Sequence, residues 1–142
     1  MLSYTHHLTV PQSAIDANGH VNNVMYVQWM QEAAIAHSDA VGGTEATRKL
    51  GEKGATWVVR RHEIEYRRPA MLGDQIEVRT WIIDCRRVSS RRGYEFHRPS
   101  DGVLLARGQT DWVLLDLATL HPLQIPDEIQ HLYNPPESPA GG

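Results

Sequence analysis

Cysteine is nearly absent from this chain: Cys85 is the only one in 142 residues. A lone thiol excludes an internal disulfide framework and fits a reducing compartment such as the cytoplasm. Long apolar runs are missing too. The stretch from Gly19 to Gln31 carries no charge, but it holds four Asn or Gln residues and a histidine. A membrane span needs roughly 20 mostly apolar residues, so none is expected. Residues 1–7 lack a basic region followed by an apolar one, and no secretory signal is expected. There is no excess of positive charge. The formal net charge is -3, which argues against broad binding to a nucleic acid backbone. Clustered metal ligands are also lacking. Of eight histidines only His6 and His7 stand close together, and no Cys/His cluster exists, so no metal and no cofactor is expected.

What remains is an ordinary globular composition, 41% hydrophobic and 22% charged, in a length that suits one domain with a real core. No internal repeat is evident. Residues 135–142 hold three prolines and two glycines and read as a disordered tail beyond a domain spanning residues 1–134.

Residues 2–10 alternate as a strand does, and Pro11 ends it. Residues 16–23 are polar, contain Gly19 and read as a loop. From Val24 to Ser38 the spacing predicts a helix, with Val24, Val27, Met30, Ala34 and His37 near one face. Asn22 or Asn23 can cap its start, and Gly42-Gly43 can end it. Only Glu32 is charged within it, so other structure should wrap this helix. Thr44 to Lys53 reads as a short polar turn or helix. Period two then takes over. Strands are expected from Trp57 to Tyr66, Gln75 to Cys85, Ser89 to His97 and Val103 to Leu117, with a bend or bulge at Gly108. On the second of these, Ile76, Val78, Thr80 and Ile82 share a face. Residues 122–132 read as a short closing helix.

Strands joined by short turns must be largely antiparallel. The fold class is therefore α+β: a five-stranded antiparallel sheet wrapped around one long central helix. One helix covers five long strands poorly. Leftover apolar surface and open sheet edges predict pairing with a second copy, as a homodimer or homotetramer.

The chemistry-bearing stretch runs from Asp16 to Trp29. An acid, an amide and an imidazole (Asp16, Asn18 and His20) alternate just before the apolar helix. The first N–H groups of a helix lack intrahelical partners and carry partial positive charge. They can stabilise an oxyanion on an attacked carbonyl. Asp16 can serve as base or nucleophile, and His20 can move a proton or orient a neighbour. Local chemistry alone also fits a plain polar turn, where such residues are common.

The pattern Asp16-Ala17-Asn18-Gly19-His20-Val21-Asn22-Asn23, continuing to Tyr26 and Trp29, resembles the motif of the 4-hydroxybenzoyl-CoA thioesterase-like hot-dog superfamily. It is closest to the form found in acyl-acyl-carrier-protein thioesterases. Glu65-Tyr66-Arg67-Arg68 with Gly73-Asp74, and residues 106–113 leading to Asp116, Pro122 and Ile125-Pro126, are similar to later parts of the same pattern. The resemblance implies a helix wrapped by a sheet, with sites at a dimer interface and acyl-CoA or acyl-acyl-carrier-protein as substrate. It implies that Asp16 is the catalytic carboxylate and that the Asn23 N–H occupies the oxyanion position. In the carrier-protein branch Asn18 and His20 would be catalytic too. The chain departs from that branch at Pro69-Ala70, where the branch has an acid and a cysteine. Cys85 lies fifteen residues beyond Ala70 and does not replace it.

Tyr26 and Met30 are candidates for the acyl pocket, although such residues more often form core. In a wrapped helix the two roles coincide, because the pocket is a gap in the core. Arg60-Arg61, Arg67-Arg68, Arg86-Arg87 and Arg91-Arg92 form four pairs. Arginine suits phosphate, and Arg67 and Arg68 are the candidates for binding it. Acids sit among the pairs, so most are expected to be ion-paired on a solvated sheet face. The hydratases of the same fold place their His one residue further on, which argues against that reaction. A non-catalytic acyl-CoA binding or sensing module is the alternative reading.

Overall fold

In a computed structural model that describes residues 2–136, the alternation after residue 54 becomes four long strands. The strands are β1 (Ser3–Thr9), β2 (Ala55–Tyr66), β3 (Gln75–Cys85), β4 (Ser89–Arg98) and β5 (Val103–Asp116). They form one sheet in the order β1-β3-β4-β5-β2, with every pair antiparallel. The helices are α1 (Val24–Val41), α2 (Gly43–Glu52) and α3 (Asp127–Tyr133). The expected tail falls, from residue 137 on, outside the described residues.

Alternation decides which face of the sheet is covered. On β3, Ile76, Val78, Thr80 and Ile82 are all buried, as their spacing predicts. On β4 the same face carries Arg92, Tyr94 and Phe96, standing opposite Thr110, Gly108 and Ala106 of β5. α1 lies against this face. Its buried residues are Tyr26, Trp29, Met30, Ala33, Ala34 and His37. Met30, Ala34 and His37 of the expected face are buried and Val27 is half-buried, whereas Val24 at the helix start is 68% exposed. The buried stripe is wider than the expected one and takes in Tyr26, Trp29 and Ala33, while Gln28, Gln31, Glu32 and Asp39 lie on the opposite side with Val24 and Ile35.

Asn22 starts α1, its Oδ1 accepting the Val24 N–H at 2.9 Å. Gly42 ends it with φ 86°, a left-handed conformation that costs glycine nothing. Gly108 departs from expectation. β5 pairs straight through it, with Ile64 on one side and Tyr94 on the other. A Cβ there would stand 3.1 Å from Met30 Sδ, so this glycine serves close approach of α1. The register shifts lie elsewhere, at Val59/Arg61, Ile82/Asp84 and Phe96/His97.

α2 is a full ten-residue helix rather than a turn. With α3 it covers the far end of the sheet, where Ala55, Leu114, Ile125 and Ile129 form a second small core. β2, at the sheet edge, stays largely exposed, and its Val58 and Val59 are open to solvent.

Candidate active site

A short hairpin precedes α1. Ile15 bridges Val21, and the Asp16 N–H donates to the His20 carbonyl at 3.0 Å. The Gly19 N–H returns to the Asp16 carbonyl at 3.0 Å, and Gly19 has φ 83°. Three loop residues with a left-handed glycine last make a common tight connection. The Asp16 carboxylate takes part: Oδ1 accepts the Asn18 N–H at 2.9 Å. Asp16 and His20 are half-buried, and Asn18 is exposed. His20 Nδ1 lies 3.5 Å from the Val21 carbonyl, a weak contact.

The hairpin is fastened to its surroundings by backbone. The Asn22 N–H donates to Ala14 O and the Val21 N–H to Ala70 O, each at 2.9 Å. The second bond ties the loop to the segment carrying Arg67 and Arg68. At the helix start the Val24, Met25 and Tyr26 N–H groups all have acceptors. Among the described residues the Asn23 N–H has none, as a helix start allows. The Asn23 carbonyl accepts the Tyr66 hydroxyl at 2.9 Å. Sequence reading left Tyr66 out of the site, yet it joins the end of β2 to the start of α1. Its ring also meets the Tyr26 ring edge-on at 5.2 Å.

Tyr26 lies in the main core beside Trp29 and Phe96, and burial pushes its phenol up to about 12. Met30 is fully buried against Gly108. Arg67 reaches Glu65 at 3.2 Å, whereas Arg68 reaches only the Arg67 carbonyl among the described residues. Arg61, Arg91 and Arg107 likewise pair with acids on the exposed sheet face.

A cavity of about 480 Å³ lies elsewhere, along the second half of α1. Ala34, Ile35, Trp57, Ile82 and Trp112 give it apolar walls, and Ser38, Ser90 and Arg92 add polar groups. Asp16, Asn18, His20 and Asn23 do not line it, nor do Tyr26 and Met30. Arg92 departs from the pattern of paired surface arginines. It is 4% exposed, and its Nη1 donates to His37 Nδ1 at 2.9 Å and to Thr80 Oγ1 at 3.1 Å. Its guanidinium lies over the Tyr133 ring at 5.5 Å. His37, 2% exposed, stacks on Tyr4 at 5.5 Å and meets Tyr133 edge-on. Burial, with the Arg92 charge beside it, lowers His37 to about 4, so its ring is neutral and accepts from Arg92. Arg92 was legible in principle, since Ser90, Arg92, Tyr94 and Phe96 alternate onto one face, and His37 already stood on the expected face of α1.

Among the described residues no group of three or more His, Cys, Asp or Glu side chains could hold a metal ion, and no helix is long and apolar enough to cross a membrane.

The sheet, the helix it wraps and the loop at the helix start define a hot-dog domain. The model of the thioesterase-like superfamily matches residues 10–132, and the chain belongs to that superfamily. A chloroplast palmitoyl-acyl carrier protein thioesterase of Gossypium hirsutum is 30% identical over 105 residues, covering 71% of this chain and 25% of the relative. A chloroplast dodecanoyl-[acyl-carrier-protein] hydrolase of Umbellularia californica is 31% identical over 105 residues, 71% of this chain and 28% of that one. The chain spans about a quarter of the length of these curated relatives. Among solved structures, a 1,4-dihydroxy-2-naphthoyl-CoA thioesterase from Synechocystis superposes with TM-score 0.84 at 21% identity, over 92% of this chain and 95% of that chain. The 12:0-ACP thioesterase of Umbellularia californica gives TM-score 0.83 at 25% identity, over 94% of this chain and 50% of its own.

Proposed function

We propose that this protein hydrolyses an acyl thioester of coenzyme A or acyl carrier protein to the free acid and the thiol. The observation that carries the reading is the Asn23 N–H, without an acceptor among the described residues, at the start of an apolar helix one short hairpin away from Asp16. A thioester carbonyl needs a donor for its developing oxyanion and a nucleophile or activated water on the other side. Asn23 supplies the donor. Asp16 attacks directly, giving an anhydride that water opens, or deprotonates the water that attacks. Asn18 and His20 orient these groups. Water adds to the acyl carbon, the carbon–sulfur bond breaks, and the thiol leaves with a proton. No metal or cofactor enters this scheme.

Tyr66 supports the arrangement by holding the Asn23 carbonyl, which keeps the neighbouring N–H fixed. Arg67 and Arg68 flank the loop through Ala70 and suit the phosphate of the pantetheine arm that both thiol carriers share. Tyr26 and Met30 back the first turns of the helix from the core and would bound only the thioester end of the acyl group. The exposed edge of β2 and the apolar side of α1 fit pairing with another copy, as a homodimer or a larger homo-oligomer. The single thiol suits a cytoplasmic setting.

The test is Asp16→Asn, assayed with a panel of acyl-CoA thioesters after its fold is checked by circular dichroism. Turnover should fall by roughly 10²–10⁴, the range of a positioned acid–base group. A folded variant that keeps near wild-type turnover would leave Asp16 with only its turn-capping bond to Asn18. If the wild type were also inert, binding without catalysis would become the reading.

A further inference from the structure

Arg92 is a buried cation with no carboxylate partner among the described residues. Its bonds are to a neutral imidazole and a hydroxyl, and both use Nη1. Burying a charge is costly unless it is paired. Among the described residues Nε and Nη2 have no partner, and Arg92 borders the 480 Å³ cavity. Nε and Nη2 form one edge of the guanidinium, and such an edge matches a carboxylate with two parallel hydrogen bonds. The remaining walls are mostly apolar, with two tryptophans. They suit a hydrocarbon spacer and would leave a doubly charged phosphate poorly solvated.

We infer that the cavity receives an organic carboxylate, its apolar body against Trp57, Trp112 and Ile35 and its carboxylate on Arg92. Joined to the thioesterase reading, on which this step rests, the substrate is an acyl thioester whose acyl group ends in a carboxylate. Arg92 is then a specificity-determining residue. His37 and Thr80 position it by occupying Nη1 and turning the other edge to the cavity.

Two measurements test this on the full chain. In the first, tryptophan emission follows titration with decanoate, decanedioate and decanol. The carboxylates should bind at least about tenfold more tightly than the alcohol, as a charge-assisted bidentate pair predicts. Arg92→Met should erase that preference while keeping decanol binding. Equal binding of acid and alcohol by the wild type overturns the inference without recourse to any variant. So does a folded Arg92→Met protein that keeps the preference. In the second, kcat/KM is compared for decanoyl-CoA and the half-thioester of decanedioic acid. The carboxylate-ended substrate should lead by about tenfold, through KM, and lose that lead in Arg92→Met. A binding preference without a kinetic one assigns the cavity to a free carboxylate rather than the acyl group, and overturns the substrate assignment alone. A binding preference with no thioester hydrolysed at all removes the hydrolase reading and leaves the cavity assignment standing.

Discussion

His37 is kept from taking a proton that a free histidine would accept. Its value near 4 in the fold lies below the ordinary 6.5. Between those values the unfolded chain binds the extra proton and the folded chain does not. Stability therefore rises with pH through this window and is lost as pH falls from 6.5 towards 4. Urea midpoints measured across that range should show the loss, and His37→Gln, which keeps an acceptor for Arg92, should flatten it. If the slope is the same in the variant, another group is responsible. At this scale the sequence was only partly legible. Asp16, Asn18 and His20 stood out because unlike polar groups alternate before an apolar helix, whereas Asn23 came in only through the family resemblance. His37 was placed on a helix face, with no partner foreseen for it. Arg92 was grouped with Arg91 as a pair, and a strand sends neighbours to opposite faces: Arg91 meets Asp111 at 3.3 Å outside, while Arg92 goes in. Tyr66 could not be found from spacing, because its bond to Asn23 crosses 43 residues.

Among the elements, α1 sorts its own residues into two kinds. Ala33 is fully buried against the sheet, whereas Ala34 lines the cavity. Ala33→Phe should overpack the core and cost about 1–3 kcal/mol, visible as a lower urea midpoint. Ala34→Phe should instead shrink the cavity and shorten the acyl chain accepted, with a smaller loss of stability. A folded Ala34→Phe protein with an unchanged chain-length profile would show that the acyl group lies elsewhere. Gly43 gives a sharper case. A Cβ there collides with the Tyr133 ring, whose hydroxyl bonds Ser38 Oγ at 2.7 Å. Gly43→Ala should displace α3 from α2 and α1, destabilise by about 1–3 kcal/mol, and loosen the cavity wall that Tyr133 supplies. The strands were read nearly to their ends because period two is strict on a half-covered sheet. The side of α1 that faces the sheet was read in part: Met30, Ala34 and His37 are buried as placed, but the aromatic residues Tyr26 and Trp29 widen the stripe beyond the expected one. The role of Gly108 was missed for a related reason: a missing side chain does not say whether the backbone bends or a neighbour moves in.

For the whole molecule, the outer edge of β2 leaves backbone groups of a twelve-residue strand without a second neighbouring strand among the described residues. Val24 and Ile35 of α1 are apolar and open too, and Ile35 shares the cavity lining with Trp57 of β2. Sedimentation at micromolar concentration should therefore give at least twice the chain mass of 16.0 kDa. A stable single chain there would sink the expectation. Strand direction then has a consequence for the reaction. A two-fold axis normal to the sheet makes the two β2 strands antiparallel. The Trp57 end of one copy, which lines the cavity, comes beside the Tyr66 end of the other, which holds the helix start. Reaction centre and acyl chamber would then be contributed in trans. Two separately crippled proteins, Asp16→Asn and Arg92→Met, would rescue each other when mixed and allowed to exchange subunits. Half of the random pairs would be mixed, each with one intact composite centre, so about a quarter of the wild-type rate on the carboxylate-ended thioester should return. No gain above the average of the two variants would mean that each copy works alone.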